Sequence, residues 1–105
     1  MPRDEFQSLT EQMYYILLAL LMERCGVEIV QRVSDQTDGR LVIGPGTLYA
    51  LLERFQQCGM IRETRAEGRR RYYKITASGR KRLQEEYGRL RRMAEDGKEG
   101  GLDEI

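Results

Sequence analysis

The stretch GPGTLYALLERF, residues 44–55, predicts a helix that carries its own start signal and a single apolar stripe. Pro45 suits the first helical position, because its missing N–H would have no helical partner there. Four large apolar residues recur at helical spacing and are expected to face the core. They are Leu48, Leu51, Leu52 and Phe55. Gly59 is placed to end the helix in the left-handed conformation, so this stretch is expected to form one complete helix.

Two further helices are predicted before this stretch. Thr10 can cap a first helix that runs to about Arg24, and Gly26 separates it from a second helix over about 27–35. Residues 13–22 of the first helix are apolar all round, which indicates that the helix is covered on several sides. A single chain of this size is expected to cover it only partly, so a second subunit is expected to complete the cover.

A hairpin and a long helix are predicted after it. Residues 60–65 and 71–75 have the composition of strands, and residues 66–70 form a basic, glycine-containing loop between them. Thr76 can cap a last helix over about 77–95. Three helices, a hairpin and a long helix predict a mainly α protein with a small β-hairpin (α+β), in which the first part is a winged helix-turn-helix.

The chain is expected to divide into one domain and one appended helix. The predicted parts are a winged helix-turn-helix DNA-binding domain over 1–76 with a flexible arm over 1–8, a dimerisation helix over 77–96, and a disordered, glycine- and acid-rich tail over 97–105.

Positive charge is concentrated in one part of the sequence. Residues 62–92 hold twelve Lys/Arg against four Asp/Glu, a local net charge of +8, whereas the whole chain carries only +1. One basic face on a nearly neutral protein is typical of a phosphate binder. The alternative is an ordinary charged surface on a solvated hairpin and helix.

The start of the third helix and the hairpin supply the candidate DNA contacts. In a winged helix-turn-helix the third helix enters the major groove and its first residues reach the bases, while arginines bind phosphates through paired hydrogen bonds. The candidates are Gly46, Thr47, Tyr49 and Ala50 on the helix and Arg65, Arg69, Arg70, Arg71, Tyr73 and Lys74 on the hairpin. The alternative roles are a simple helix start with a packed Tyr49, and charges that protect a sheet edge.

The strand pattern gives the two adjacent tyrosines of the hairpin different environments. Arg71 and Tyr73 share one face of the second strand, and Tyr72 and Lys74 share the other. One tyrosine is therefore expected to pack inward and the other to face DNA, and the pattern leaves open which does which.

The last helix carries an apolar seam that predicts a homodimer. The seam consists of residues spaced three or four apart, which places them on one face of a helix: Leu83, Tyr87, Leu90 and Ala94. The predicted interface residues are Met13, Leu17, Leu20, Leu83, Tyr87, Leu90 and Ala94. A small aromatic effector is a further hypothesis, with a pocket lined by Met13, Tyr14, Tyr15, Leu17, Tyr87 and Met93; the alternative is a filled dimer core.

Several function classes are disfavoured by composition. The chain has no histidine, no glycine-rich phosphate loop after a strand and no metal-spaced cysteine set, so neither an enzyme, a cofactor nor a metal site is expected. Its two cysteines are expected to be reduced thiols. The longest apolar run is too short to span a bilayer, so no membrane partner and a cytoplasmic location are expected.

Taken together and in order, these motifs resemble the PadR-type transcriptional regulators over residues 9–90. The similar segments are LTE (9–11), MYYILLAL (13–20), GVEI (26–29), GPGTLYALL (44–52), GMI (59–61), RYYKIT (71–76) and Gly79. Val27 stands where the family usually has an aromatic residue.

The length resembles the short subfamily with one C-terminal helix. This resemblance implies a dimer whose C-terminal helices cross onto the partner, and a repressor function. Some members bind planar drugs through a tryptophan on the last helix, and the chain contains no tryptophan. We therefore predict a sequence-specific DNA-binding regulator. The alternative is a winged-helix protein-interaction module, which would leave the three consecutive arginines without a role.

Overall fold

The order of elements is a short helical domain, a hairpin and one long helix. The computed structural model describes residues 8–104, so most of the predicted N-terminal arm lies outside the described residues. The helices are α1 (Glu11–Ala19), α2 (Gly26–Gln36), α3 (Pro45–Gln57) and α4 (Ala77–Glu99), and the strands are β1 (Arg24–Cys25), β2 (Ile61–Glu67) and β3 (Arg70–Ile75). The observed fold is α+β, as predicted.

The predicted helix starts are confirmed by their caps. The Thr10 hydroxyl accepts a hydrogen bond from the Met13 amide at 3.2 Å, and the Thr76 hydroxyl accepts one from the Gly79 amide at 3.1 Å. Each bond satisfies an amide that has no partner inside its helix. Helix α3 begins at Pro45, as its sequence predicts.

The first helix is shorter than predicted, because it ends at Ala19 and the chain enters the sheet at Arg24. Arg24 and Cys25 pair with Tyr73 and Tyr72 as strand β1, which gives an antiparallel sheet of order β1-β3-β2. The Arg24 side chain also donates to the Ala19 carbonyl at 2.8 Å. A carbonyl left open at the helix end is therefore satisfied by a side chain, and the prediction that the helix reaches Arg24 is wrong.

The hairpin is longer and tighter than predicted. Strands β2 and β3 extend to Glu67 and from Arg70, which leaves Gly68 and Arg69 as a two-residue turn. Gly68 has a φ of 60°, a left-handed conformation that favours glycine. An irregularity in the pairing at Thr64 interrupts the ladder between β2 and β3.

Helix α1 is covered mainly by its own chain. Ile16, Leu17 and Leu20 have no exposed surface, and they belong to one core with residues of α2, α3, the sheet and α4. Tyr14 and Tyr15 are half-buried against that core. The chain alone therefore covers most of this helix and leaves Tyr14, Tyr15 and Leu18 partly exposed, and a second subunit that completes the cover stays a prediction.

Helix α4 continues beyond its predicted end. It runs to Glu99, and the chain then closes it through bonds from the Gly101 amide to Lys98 and from the Leu102 amide to Gly97. Gly101 has a φ of 89°, so this is a Schellman cap. Residues 97–99 were predicted to belong to a disordered tail, and the structure shows them to be helical.

Candidate nucleic-acid interface

Helix α3 buries one face and exposes its first turns. Leu48, Leu51, Leu52 and Phe55 are buried, as the sequence predicts. The residues predicted to contact DNA from this helix are all exposed. They are Gly46, Thr47, Tyr49 and Ala50. The helix therefore presents its positive N-terminal end and two hydroxyl groups at the surface.

The turn of the hairpin presents three exposed arginines. Arg69, Arg70 and Arg71 occupy and follow the β2–β3 turn. The nearest carboxylate contact among residues 8–104 is a long one, 3.9 Å from Arg71 Nη1 to Glu63 Oε1. An exposed pair at this distance contributes little to folding, so the charges of the turn are accessible to an anionic partner.

A groove of about 470 Å³ joins the two predicted surfaces. It lies between the start of α2, the exposed side of α3 and the hairpin. Its lining residues are Cys25, Gly26, Val27, Tyr49, Arg69, Arg70, Arg71 and Tyr73. The fold thus brings Tyr49 and the three arginines to one concave surface, although they are far apart in sequence.

Arg65, another predicted DNA contact, is engaged by the protein itself. Its guanidinium carbon lies 3.8 Å from the centroid of the Tyr72 ring. Its Nε lies 3.5 Å from Glu23 Oε2, and it forms a second ion pair with Glu67. Arg65 therefore anchors the hairpin to the segment before β1, and its charge is partly neutralised there.

Glu23, one of the partners of Arg65, was not singled out by the sequence analysis. Its carboxylate accepts a hydrogen bond from the Thr64 hydroxyl. That bond, helped by Arg65 and Lys74 and opposed by desolvation, lowers the pKa of Glu23. Thr64 stands at the irregularity in the hairpin, so Glu23 ties that irregular point to the rest of the domain.

Both tyrosines of strand β3 are buried, so the prediction that one of them faces outward is wrong. Tyr73 belongs to the hydrophobic core, where desolvation, with Glu63 adding to it, raises the pKa of its hydroxyl. Tyr72 is covered by the Arg65 guanidinium. Tyr73 supports the floor of the groove as a nearly covered ring, whereas Lys74 is exposed.

The predicted dimer residues fall into two groups. Met13, Leu17, Leu20 and Leu83 are buried in the core of the chain itself. Tyr87, Leu90 and Ala94 are exposed along α4. Only the second group presents surface that another copy of this chain could contact.

The predicted effector-pocket residues also differ in exposure. Met13 and Leu17 are buried, while Tyr87 and Met93 are more than half exposed. Between them, the Tyr14 and Tyr15 rings are half-buried and meet edge to face, with centroids 5.8 Å apart. Tyr87 and Met93 are therefore the members of this set that another copy of the chain could cover, and the pocket stays a prediction.

A buried ion-pair cluster on α4 escaped the sequence analysis. Glu86 is 2% exposed, with Oε1 3.4 Å from Arg82 Nη1 and Oε2 paired with Arg89. The bond from Arg89 lowers the pKa of Glu86, although burial opposes this. A buried carboxylate requires such partners, and the i, i+3 and i, i+4 spacings could have indicated them.

Residues 8–104 contain no group of three or more His, Cys, Asp or Glu side chains that could hold a metal ion. Among the helices described, none combines the length and the apolar character that crossing a membrane requires.

Comparison with protein-family models identifies one family, and solved structures share the fold. Residues 16–85 match the model of the transcriptional regulator PadR-like family. A transcriptional regulator from Clostridium thermocellum is similar in structure, with a TM-score of 0.71 and 26% identity over 87% of this chain and 96% of that one. A PadR-like transcription factor from Bacteroides fragilis has a TM-score of 0.71 and 27% identity over 84% of this chain and 87% of its own.

Two further matches are compatible with this family assignment. A PadR family regulator from Eggerthella lenta shares the fold, with a TM-score of 0.73 and 24% identity over 87% of this chain and 80% of that one. An uncharacterized protein of Lysinibacillus sphaericus is 36% identical over 76 residues, which cover 67% of this chain and 70% of that protein.

The three-helix domain with its hairpin defines a winged-helix protein of the transcription-regulator class. The chain belongs to the PadR-like family of transcriptional regulators, because the family model spans most of it. The predicted family and fold class are thereby confirmed. The family and its structural neighbours are regulators of transcription rather than enzymes.

Proposed function

We propose that this chain is a sequence-specific DNA-binding repressor that binds an inverted-repeat operator as a homodimer in the cytoplasm. The observation that carries the proposal is the groove in which Tyr49 of α3 meets Arg69, Arg70 and Arg71 of the hairpin. A surface that joins a helix start to a row of exposed guanidinium groups suits double-stranded DNA, which offers base edges beside phosphates.

Helix α3 would read bases in the major groove. Gly46 and Ala50 are exposed and small, so the helix backbone can approach the duplex closely. Thr47 offers a hydroxyl and a methyl group, which suit a base edge and the methyl group of thymine respectively. Tyr49, which also carries a hydroxyl, lines the groove.

The hairpin would bind the sugar–phosphate backbone. Arg69, Arg70 and Arg71 are exposed, and the planar guanidinium group matches phosphate oxygens in pairs. Lys74 is exposed on the same strand. Arg65 contributes mainly by holding the hairpin, because its charge is already paired with Glu23 and Glu67. Such contacts provide affinity that depends strongly on salt.

Helix α4 would close the homodimer. Tyr87 and Met93 are more than half exposed and Leu90 is 39% exposed, and a row of exposed apolar residues on a long helix indicates an interaction surface. Twofold symmetry is the commonest closure of such a dimer. It would place two α3 helices in successive major grooves about 34 Å apart, which requires an inverted repeat.

The dimer can be tested by light scattering. The wild-type chain of 12.3 kDa is expected to give about twice that mass at micromolar concentration. Leu90→Asp is expected to give the monomer mass with an unchanged circular dichroism spectrum, because it would bury an unpaired carboxylate only at the interface. Exposed Gln84→Asp on the same helix serves as the matched control. A monomeric wild type would refute this part of the proposal.

Release of the repressor by a small aromatic effector is the remaining part of the proposal. The half-buried Tyr14 and Tyr15 rings and the exposed Tyr87 and Met93 side chains offer adaptable aromatic contacts once a second subunit is in place. A panel of planar aromatic compounds should contain at least one that raises the melting temperature and weakens operator binding. No shift across the panel would count against an effector of this class.

The decisive experiment is selection of bound fragments from random DNA. Enrichment of an inverted repeat, with affinity that falls steeply as salt rises, is expected for the regulator. Recovery of no enriched sequence, together with weak salt dependence, would instead favour a winged-helix module that binds protein.

A further inference from the structure

Gly26 lies against the hydroxyl end of the Tyr49 side chain. A Cβ atom added at Gly26 would stand 2.5 Å from the Tyr49 hydroxyl oxygen, 3.2 Å from its Cζ and 3.4 Å from Leu48 Cδ2. The first distance is shorter than real Cβ contacts allow. The phenol of Tyr49 therefore occupies space that any other residue at position 26 would fill.

The backbone of α2 does not itself require glycine at this position. Gly26 is the first residue of the helix and is absent from the residues with positive φ. The helix start is capped instead by Cys25 and Glu28, with the Cys25 amide donating to Glu28 Oε1 at 3.0 Å. The neighbouring Val27 is 66% exposed. Glycine at position 26 is therefore required by the side chain that packs against it, which is chiefly that of Tyr49.

The contact with Gly26 fixes the position of the Tyr49 side chain at the groove. The Tyr49 side chain is 52% exposed, so one side of it is covered while the other remains available. It lines the groove together with Arg70 and Tyr73. The influence of Tyr49 on the pKa of Tyr73 indicates that the two phenols are close.

We propose that Gly26 is a positioning residue for DNA recognition: its lack of a side chain creates the seat that holds the Tyr49 phenol between α3 and the hairpin. This inference rests on the proposed function, since it assigns Tyr49 to the DNA contact. A side chain at position 26 would lift the ring away from α2 and change the position of its hydroxyl relative to the duplex. The effect is expected on the choice of sequence more than on affinity for DNA in general.

The primary test substitutes Gly26→Ala and measures the position of Tyr49 and DNA binding separately. Nuclear Overhauser contacts between the Tyr49 ring and the α-protons of Gly26 are expected in the wild type, and the Tyr49 ring resonances are expected to shift in Gly26→Ala. The dissociation constant for the selected operator should rise about tenfold, the equivalent of about 1.4 kcal/mol. That for random duplex DNA should change less than about twofold, because phosphate contacts carry it.

Gly88→Ala provides the matched control. Gly88 also lies in a helix, and an added Cβ there meets only the Arg92 Nη1 at an ordinary 3.6 Å. This variant is expected to leave the Tyr49 resonances and both dissociation constants unchanged. A change in operator binding as large as that of Gly26→Ala would overturn the proposal, because it would show a general effect of alanine in helices.

The variants Tyr49→Ala and Gly26→Ala/Tyr49→Ala keep the test decisive if Gly26→Ala folds poorly. Without the ring there is nothing to displace, so the double variant should match Tyr49→Ala in melting temperature and operator affinity. A further loss of either quantity in the double variant would show that glycine serves the backbone, and would overturn the proposal.

The failure of this inference differs from the failure of the proposed function. If the wild type selects an operator and Gly26→Ala binds it equally well, the positioning role is refuted and the regulator function stands. If the wild type selects no sequence, the proposed function fails, and the positioning role in recognition fails with it, whatever the ring contacts show.

Discussion

Charged residues are arranged differently in two regions of the molecule. The first region is the start of α3 together with the hairpin, and the second is the long helix α4. Around the groove, Arg69 and Arg70 are exposed. On α4, Glu86 is buried between Arg82 and Arg89. The first arrangement leaves positive charge available to a partner, whereas in the second the positive charges are paired with a carboxylate inside the fold. A count of basic residues therefore overstates the binding surface, and burial decides which charges remain for it.

Gly79 joins these two regions and gives the largest expected effect. A Cβ atom there would lie 2.0 Å from the Met60 carbonyl oxygen and 2.8 Å from its carbon. This is a backbone contact that cannot swing aside, since the same oxygen accepts from the Thr76 amide. Gly79→Ala is expected to lower the free energy of unfolding by about 3 kcal/mol through overpacking. Urea denaturation measures it, and an effect no larger than that of Gly88→Ala would contradict the close approach.

The buried cluster on α4 predicts a pH-dependent stability. Glu86→Gln should lower the free energy of unfolding by about 2 kcal/mol at neutral pH, because two guanidinium groups lose their anion. The folded pKa of Glu86 lies below its usual value of 4.5. Its contribution is therefore complete well above pH 4.5 and is lost as the pH falls through the folded pKa.

Denaturation curves over a range of pH distinguish this from a packing effect. The difference between wild type and Glu86→Gln should shrink below pH 4.5. Exposed Glu85→Gln, on the neighbouring position of α4, should show a much smaller difference. A difference for Glu86→Gln that stays constant down to acid pH would mean that the charge of Glu86 does not stabilise the fold.

The hairpin allows the same comparison between two arginines in one element. Arg70→Ala should weaken binding to operator and random DNA alike and reduce the slope of log affinity against log salt by about one. Arg65→Ala should change that slope by less than half as much, because its charge is already paired with Glu23 and Glu67. Titrations at several salt concentrations measure both slopes, and equal losses would assign Arg65 to the phosphate contact as well.

The elements with local signals were predictable from sequence. The caps at Thr10 and Thr76 and the Pro45 start fix three helices through contacts within a few residues. The Gly101–Leu102 cap of α4 was also local, and a glycine followed by an apolar residue was the missed signal.

The features that were missed depend on distant partners. Strand β1 exists only because Cys25 meets Tyr72, and the Glu23–Arg65 pair joins residues far apart in sequence. The seat of Tyr49 on Gly26 is of the same kind. The residues of the candidate site on α3 and the hairpin were therefore predictable. The groove that they form, and the pairing of Arg65 with Glu23 and Glu67 outside it, were not.

Thr47 gives the smallest effect and the most specific one. It is exposed in the first turn of α3, and neither the core nor a cap uses it. Thr47→Ala should not weaken the fold, because alanine has the higher helix propensity. If Thr47 contacts a base, the operator should lose about 1 kcal/mol of binding free energy while random DNA loses almost none.

The control for Thr47 lies on the same helix, away from the groove. Gln57 is exposed at the C-terminal end of α3, so Gln57→Ala also trades an exposed polar side chain for alanine without approaching the duplex in the proposed orientation. Its dissociation constants for operator and random DNA should equal those of the wild type. Loss of discrimination in Thr47→Ala alone would place the start of α3 against the bases. Equal behaviour of the two variants would mean that α3 meets DNA through its backbone and Tyr49, with sequence choice made elsewhere on the surface.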